Sequence, residues 1–147
     1  DRLAAAIAGQ FLFPKKNVLV IDVGTCVKYD FVNARKQYLG GSISPGMQMR
    51  FKAMNEQTAL LPLIKPSDEF TLVGYDTKTN LLSGVILGMA AEIDGIIGAY
   101  EAKYANFNVQ LTGGDLSYFV PHLKKRIFAD QNLLFKGLYA ISETNNI

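Results

Sequence analysis

The segment from Val18 to Gly46 constrains this chain more than any other. Val18 to Val23 is a short apolar run carrying one acid, Asp22, and Gly24-Thr25 breaks it. Cys26 to Val32 resumes a strand-like pattern, Asn33 to Lys36 is polar, and Tyr38 to Ile43 is apolar again before Ser44-Pro45-Gly46. Such runs, separated by such turn residues, predict three short strands joined by two tight turns. A carboxylate at the end of a buried strand, followed at once by Gly-Thr, also has a chemical use. Glycine lets the backbone approach a ligand, exposed amides and a threonine hydroxyl hold phosphate oxygens, and the acid holds a cation or orders water. One D-x-G-T turn is a weak signal by itself.

The flanking segments read as helices. Residues 1 to 13 place Leu3, Ile7 and Phe11 at four-residue spacing among alanines, which favour helix. Ser44-Pro45 has the form of a helix start, with Ser44 as N-cap and Pro45 at the first helical position. Met47, Phe51, Met54 and Thr58 lie on one side of that helix, which is expected to end near Leu60 ahead of Pro62. Leu61 to Phe70 is loop. Thr77 to Tyr104 is the longest helical segment, with Leu81, Val85, Met89, Ile93, Ile97 and Tyr100 as an apolar stripe. Its glycines, Gly84, Gly88, Gly95 and Gly98, predict close packing of another backbone or a break near Asp94-Gly95. A short strand at Val109–Leu111 leads through Thr112-Gly113-Gly114-Asp115 into a helix expected over Leu116 to Lys125. Leu133 to Leu138 reads as a strand end running into a last helix.

Composition narrows the function classes. With 147 residues, one domain is the default. Fifteen basic against thirteen acidic residues leave a net charge of +2, too balanced to argue for nucleic acid or an acidic membrane. Lys124-Lys125-Arg126 is read as a solvated helix end, and nearby His122, the only histidine, as a surface residue. The single cysteine, Cys26, leaves no intrachain disulfide or cysteine-based metal site, which fits a reducing compartment; Cys26 is read as a small buried filler. No uncharged apolar stretch of about 18 residues is present, so no membrane span is expected.

Two glycine turns therefore follow strands, Asp22-Val23-Gly24-Thr25 and Thr112-Gly113-Gly114-Asp115. Neither belongs to a P-loop or a G-x-G-x-x-G fingerprint. The second leads into a helix, whose N-terminus exposes amides and attracts negative charge. Either turn also has a ligand-free reading as a tight left-handed turn.

The order of these motifs resembles type III pantothenate kinase, of the sugar kinase, Hsp70 and actin-like superfamily. Asp1-Arg2 is similar to the end of that family's G-x-D-R motif, and Asp22-Val23-Gly24-Thr25-Cys26 to its D-x-G-T-A phosphate motif. Tyr38 to Gly46 resembles the dimer-interface motif, Thr58-Ala59-Leu60-Leu61-Pro62 the T-A-x-L-P element, and Gly74 with Thr77 the G-x-x-T before the long helix. Thr112 to Asp115 resembles the adenosine motif. The resemblance implies an α/β fold, one lobe of an actin-like ATPase, with a three-strand antiparallel meander and packed helices. It implies phosphorylation of pantothenate by ATP with Mg2+, the first step toward coenzyme A, in a cytoplasmic homodimer. It makes Asp1 the general base and Arg2 and Thr77 pantothenate contacts, Thr77 across the dimer; Thr77 also has a reading as a helix N-cap. Gly24 and Thr25 would hold phosphates, Gly113 and Gly114 adenosine, and Asp22 a monovalent cation, K+ or NH4+. The family's D-x-G-N-T motif does not occur, so residues 1–147 are expected to be the C-terminal lobe and inactive alone. Lys28 stands where the family usually has threonine, and Cys26 where it has alanine, which raises the expectation that Lys28 replaces the cation. Two alternatives remain open: a non-catalytic relative acting as a regulatory or dimeric scaffold, and a superfamily kinase for another small hydroxyl substrate.

Overall fold

The computed structural model describes residues 2–131. Helix α1 (Arg2–Leu12) leads into strands β1 (Asn17–Val23), β2 (Cys26–Val32) and β3 (Tyr38–Pro45). Helix α2 (Met47–Gln57) and a long loop follow. Helix α3 (Thr77–Leu82), a π-helical turn at Ser83–Leu87 and α4 (Gly88–Lys103) then run on as one rod. Strand β4 (Phe107–Thr112), the short helix α5 (Leu116–Phe119) and strand β5 (Phe128–Ala129) complete the order. The five strands form one sheet in the order β3-β2-β1-β4-β5. β1, β2 and β3 make the expected antiparallel meander, while β1 with β4 and β4 with β5 pair in parallel.

The two faces of the sheet are covered differently. Leu19, Ile21, Val23, Val27, Tyr29 and Phe31 point to one face and pack against Met47 and Phe51 of α2 and the stripe Leu81, Val85, Met89, Ile93 and Ile97 of the long helix. Burying each such side chain stabilises the fold by roughly 1.5–3 kcal/mol. Val18 and Val20 point to the other face, where Ala8 of α1 covers them.

Several local expectations are revised. In α1 it is the alanine side, Ala4, Ala6 and Ala8, that is buried, whereas Leu3 and Phe11 of the expected stripe are exposed. The cause is close approach: a Cβ at Gly9 would stand 2.8 Å from Val20 Cγ2, so only small residues fit between helix and sheet. Ser44 and Pro45 belong to β3, and Gly46 is the N-cap of α2. A Cβ at Gly46 would lie 2.2 Å from the Gly24 carbonyl oxygen, so the backbone there is committed to the β1–β2 turn. Helix α2 ends at Gln57, with Thr58 as its C-cap. The long helix does not break at Asp94-Gly95; its irregularity is the π turn at Ser83–Leu87, which contains Gly84. No backbone packs on Gly84, Gly88 or Gly95 among the described residues. By length and hydropathy the 27-residue span Thr77–Lys103 qualifies as a membrane-crossing helix, contrary to the reading of the sequence. Its buried stripe against the sheet gives it the place of a core helix. Helix α5 stops at Phe119, because Pro121 follows in a 3-10 turn. His122 is half-buried, its ring 5.6 Å from that of Phe70. Cys26 is likewise half-buried. The expected elements beyond Leu133 lie outside the described residues.

Candidate active site

Both glycine turns arrive at one edge of the sheet. β1 and β4 are parallel, so the turns that follow them leave from the same end, with Asp22 paired to Thr112. Open parallel sheets bind ligands at this end of the strands. The second turn is built onto the first strand. Gly113 has φ +108°, and the Asp115 amide donates to the Val23 carbonyl at 3.1 Å. A Cβ on Gly113 would lie 2.4 Å from that carbonyl oxygen. The first turn is closed by the Gly24 amide, which donates to the Cys26 carbonyl at 3.0 Å, and tied to β3 by the Gly46 amide, which donates to the Thr25 carbonyl at 3.1 Å. Gly113 therefore serves the chain's own close approach. Gly114 has open space where a side chain would stand, and the nearest atom to a Cβ on Gly24 would be Asp22 Oδ1 at 3.7 Å. Those two glycines and the exposed Thr25 leave backbone and a hydroxyl open to solvent, groups of the kind that can hold phosphate oxygens.

Asp22 is half-buried, and that burial pushes its carboxyl above the ordinary range. The charge of Lys28, directly opposite on β2, works against this shift, and Asp30 adds to it. Cys26, Lys28 and Asp30 share a strand face as alternation requires. Asp115, at the same edge, is also raised by burial. No group of three or more metal-ligating side chains occurs among the described residues. Asp22 and Asp115 are carboxylates near the ends of β1 and β4, the ligand type that Mg2+ takes together with substrate phosphates. Lys28, paired with Asp22, brings a positive charge to the carboxylate expected to hold a monovalent cation.

The remaining expected site residues are dispersed. Asp1 lies outside the described residues. Arg2 opens α1 and is paired inside the protein with Asp30. Thr77 is exposed and begins α3, but the N-cap is Asp76, whose side chain accepts from the Thr79 amide at 2.8 Å in a reciprocal capping box. Thr77 is therefore spared the capping role. Sequence reading passed over Asp30 and Tyr38. Alternation along β2 already placed Asp30 on the face of Lys28, and that was the available signal.

A family model for type III pantothenate kinase matches residues 1–99. Curated type III pantothenate kinases from Phocaeicola vulgatus and Bacteroides fragilis are 48% and 47% identical to this chain over 99% of its length. One from Christiangramia forsetii is 43% identical, also over 99%. The chain spans about 60% of the length of these relatives. Among solved structures, a protein described as a Baf family transcriptional activator from Campylobacter jejuni is similar with a TM-score of 0.69 at 22% identity, covering 98% of this chain and 65% of that one. The ethanolamine utilization protein EutJ from Carboxydothermus hydrogenoformans is similar with a TM-score of 0.54 at 18% identity, covering 93% and 51%. At these identities the structural likeness concerns the α/β fold alone.

Proposed function

We propose a function from one premise: this chain belongs to the type III pantothenate kinase family, its matched segment running from residue 1 to residue 99. On that premise the protein transfers the terminal phosphoryl group of ATP to the primary hydroxyl of pantothenate. The observation that supports this most is the joint edge where Asp22, Gly24-Thr25 and Gly113-Gly114 meet at the ends of two parallel strands. Phosphoryl transfer needs mainly positioning and charge neutralisation. Gly24 and Thr25 hold the phosphates, Gly113 shapes the second turn, and Gly114 borders the adenosine. Bound Mg2+ would neutralise phosphate charge, and Asp22 and Asp115 are the carboxylates that would hold it. Asp1 takes the hydroxyl proton, and Arg2 and Thr77 contact pantothenate. The share of the relatives' length that is matched supports assigning residues 1–147 to one lobe, the other lobe contributing a further phosphate loop. A cytoplasmic location goes with these soluble substrates, and cell fractionation checks it. The deciding experiment is incubation of the full-length protein with ATP, Mg2+ and pantothenate, followed by mass spectrometry. Phosphopantothenate is expected; ATP turnover only with another hydroxyl acceptor would favour a different superfamily kinase.

Assembly follows from the exposed surface. Gly84, Gly88 and Gly95 leave one side of the long helix without a covering backbone, and Leu39 and Ile43 of β3 are exposed. These elements are proposed to meet their copies in a two-fold dimer, the same patch serving both subunits. Sedimentation at micromolar concentration is expected to show a dimer; a clean monomer would rule out a site shared between subunits.

Lys28 is proposed to stand in for a monovalent cation. It faces Asp22 across the strand pair, and its charge already favours the ionised carboxylate. Turnover in sodium-only buffer is therefore expected to be unchanged by added potassium. Lys28→Thr is expected to create a potassium requirement, visible also as potassium-dependent thermal stabilisation of the nucleotide complex. Strong potassium activation of the unmutated enzyme would show that Lys28 does not fill this role.

A further inference from the structure

We propose that Asp30 is the positioning residue that makes Arg2 a substrate-binding group, with Tyr38 as its second anchor. The proposal rests on the kinase reading above. Asp30 lies on β2, on the face covered by α1, and is only 2% exposed. A polar group at that depth needs hydrogen-bond partners. Arg2 Nε donates to both carboxylate oxygens, at 2.9 and 3.1 Å, and Arg2 Nη2 lies 2.8 Å from Oδ1. Tyr38 donates its hydroxyl to Oδ1 at 2.5 Å. Arg2 Nη2 also reaches the Tyr29 carbonyl at 3.5 Å.

These bonds use the Nε–Nη2 edge of the guanidinium and leave Nη1 without a bond among the described residues. The group is planar and rigid, so fixing one edge fixes the direction of the other. The Arg2 side chain is one-third exposed, so it is open to a ligand. Asp30 lies two residues along β2 from Lys28, the partner of Asp22, and on the same face, so the anchored arginine lies on the face of the sheet that carries Asp22. A substrate meeting Arg2 therefore finds a donor already ordered. An unanchored arginine would have to be ordered on binding, at a cost in affinity. The pair also staples α1 to the sheet, and a purely mechanical role is the alternative to be tested.

The test is steady-state kinetics of the full-length enzyme in four forms: unmutated, Asp30→Asn, Arg2→Ala and the double variant. Asp30→Asn is expected to raise the pantothenate KM about tenfold, the scale of one charge-assisted contact, with ATP KM and kcat unchanged. Because Asp30 acts through Arg2, Asp30→Asn is expected to add nothing in the Arg2→Ala background. Additive effects, or a parallel loss of ATP affinity and kcat, would leave only the mechanical role. Should Asp30→Asn melt below the assay temperature, Tyr38→Phe carries the test. It removes one bond to Asp30 on an edge strand, and is expected to raise the pantothenate KM by less, in the same selective way; an unmoved KM in that variant overturns the proposal. Absence of phosphopantothenate from the unmutated enzyme would overturn the kinase reading and this proposal with it, whereas activity with an unmoved KM in Asp30→Asn overturns this proposal alone.

Discussion

Asp1→Asn is expected to lower turnover by about 10²–10⁴-fold, the usual contribution of a positioned acid or base. ATP affinity is expected to hold, because the turns proposed to hold the phosphates follow β1 and β4 and not α1. The argument starts from chemistry: the acceptor hydroxyl must lose a proton as it attacks, and an amide does not take it. It continues with topology. Gln10, near the end of α1, donates to the Lys16 and Asn33 carbonyls at the far end of the β1–β2 pair, at 2.7 and 2.8 Å. Arg2, at its start, is bound to Asp30 on the Asp22 side. The start of α1 is thus tied nearer to that edge than its end is. Single-turnover measurements with saturating ATP would separate the chemical step from product release, and an Asn variant with unmutated turnover would remove Asp1 from the mechanism.

Gly113→Ala is expected to destabilise the protein by on the order of 3 kcal/mol. Its φ of +108° is unfavourable for any L side chain, and the new Cβ would meet Val23 backbone atoms at 2.4–2.6 Å. For a chain of this size that lowers the melting temperature by roughly 10 °C. Gly114→Ala is the control, since nothing stands within 4 Å of a Cβ there. It is expected to change stability by less than about 1 kcal/mol. Thermal melts of the two variants side by side make the comparison; equal melting temperatures would mean that the Val23–Gly113 approach is not a structural constraint.

Much of the fold was legible because periodicity reports burial. The three-strand meander, the apolar stripe of the long helix and the two glycine turns all follow from residue patterns that physics reads locally. What escaped was set by partners distant in sequence. The apolar residues of α1 face outward because Gly9 and the alanines must approach Val18 and Val20, a requirement of packing that helix periodicity does not contain. Ser44 looked like a helix cap, but its hydroxyl donates to Glu92, which also pairs with Arg50. β5 escaped because two residues carry no pattern, and its pairing depends on β4 being present. In the site, Asp22, Gly24, Thr25 and the Gly113-Gly114 pair stand out by residue type and place. Asp30 and Tyr38 did not, because their significance comes from meeting Arg2 across the sheet.

The mixed pairing of β1 has a consequence for how the protein assembles. Its antiparallel neighbour is reached through a turn so short that Val23 pairs with Val27. Its parallel neighbour is reached only after α2, the long loop and the whole helical rod, when Asn17 meets Phe107. The entropy lost on closing a loop grows with its length, and non-local pairings slow folding. The meander is thus a local structure, and the edge that joins Asp22 to Gly113 is the part of the sheet bought at the greatest closure entropy. Nascent chains that have emerged only as far as the long helix already possess the first turn, yet lack the edge proposed to hold the nucleotide until β4 arrives.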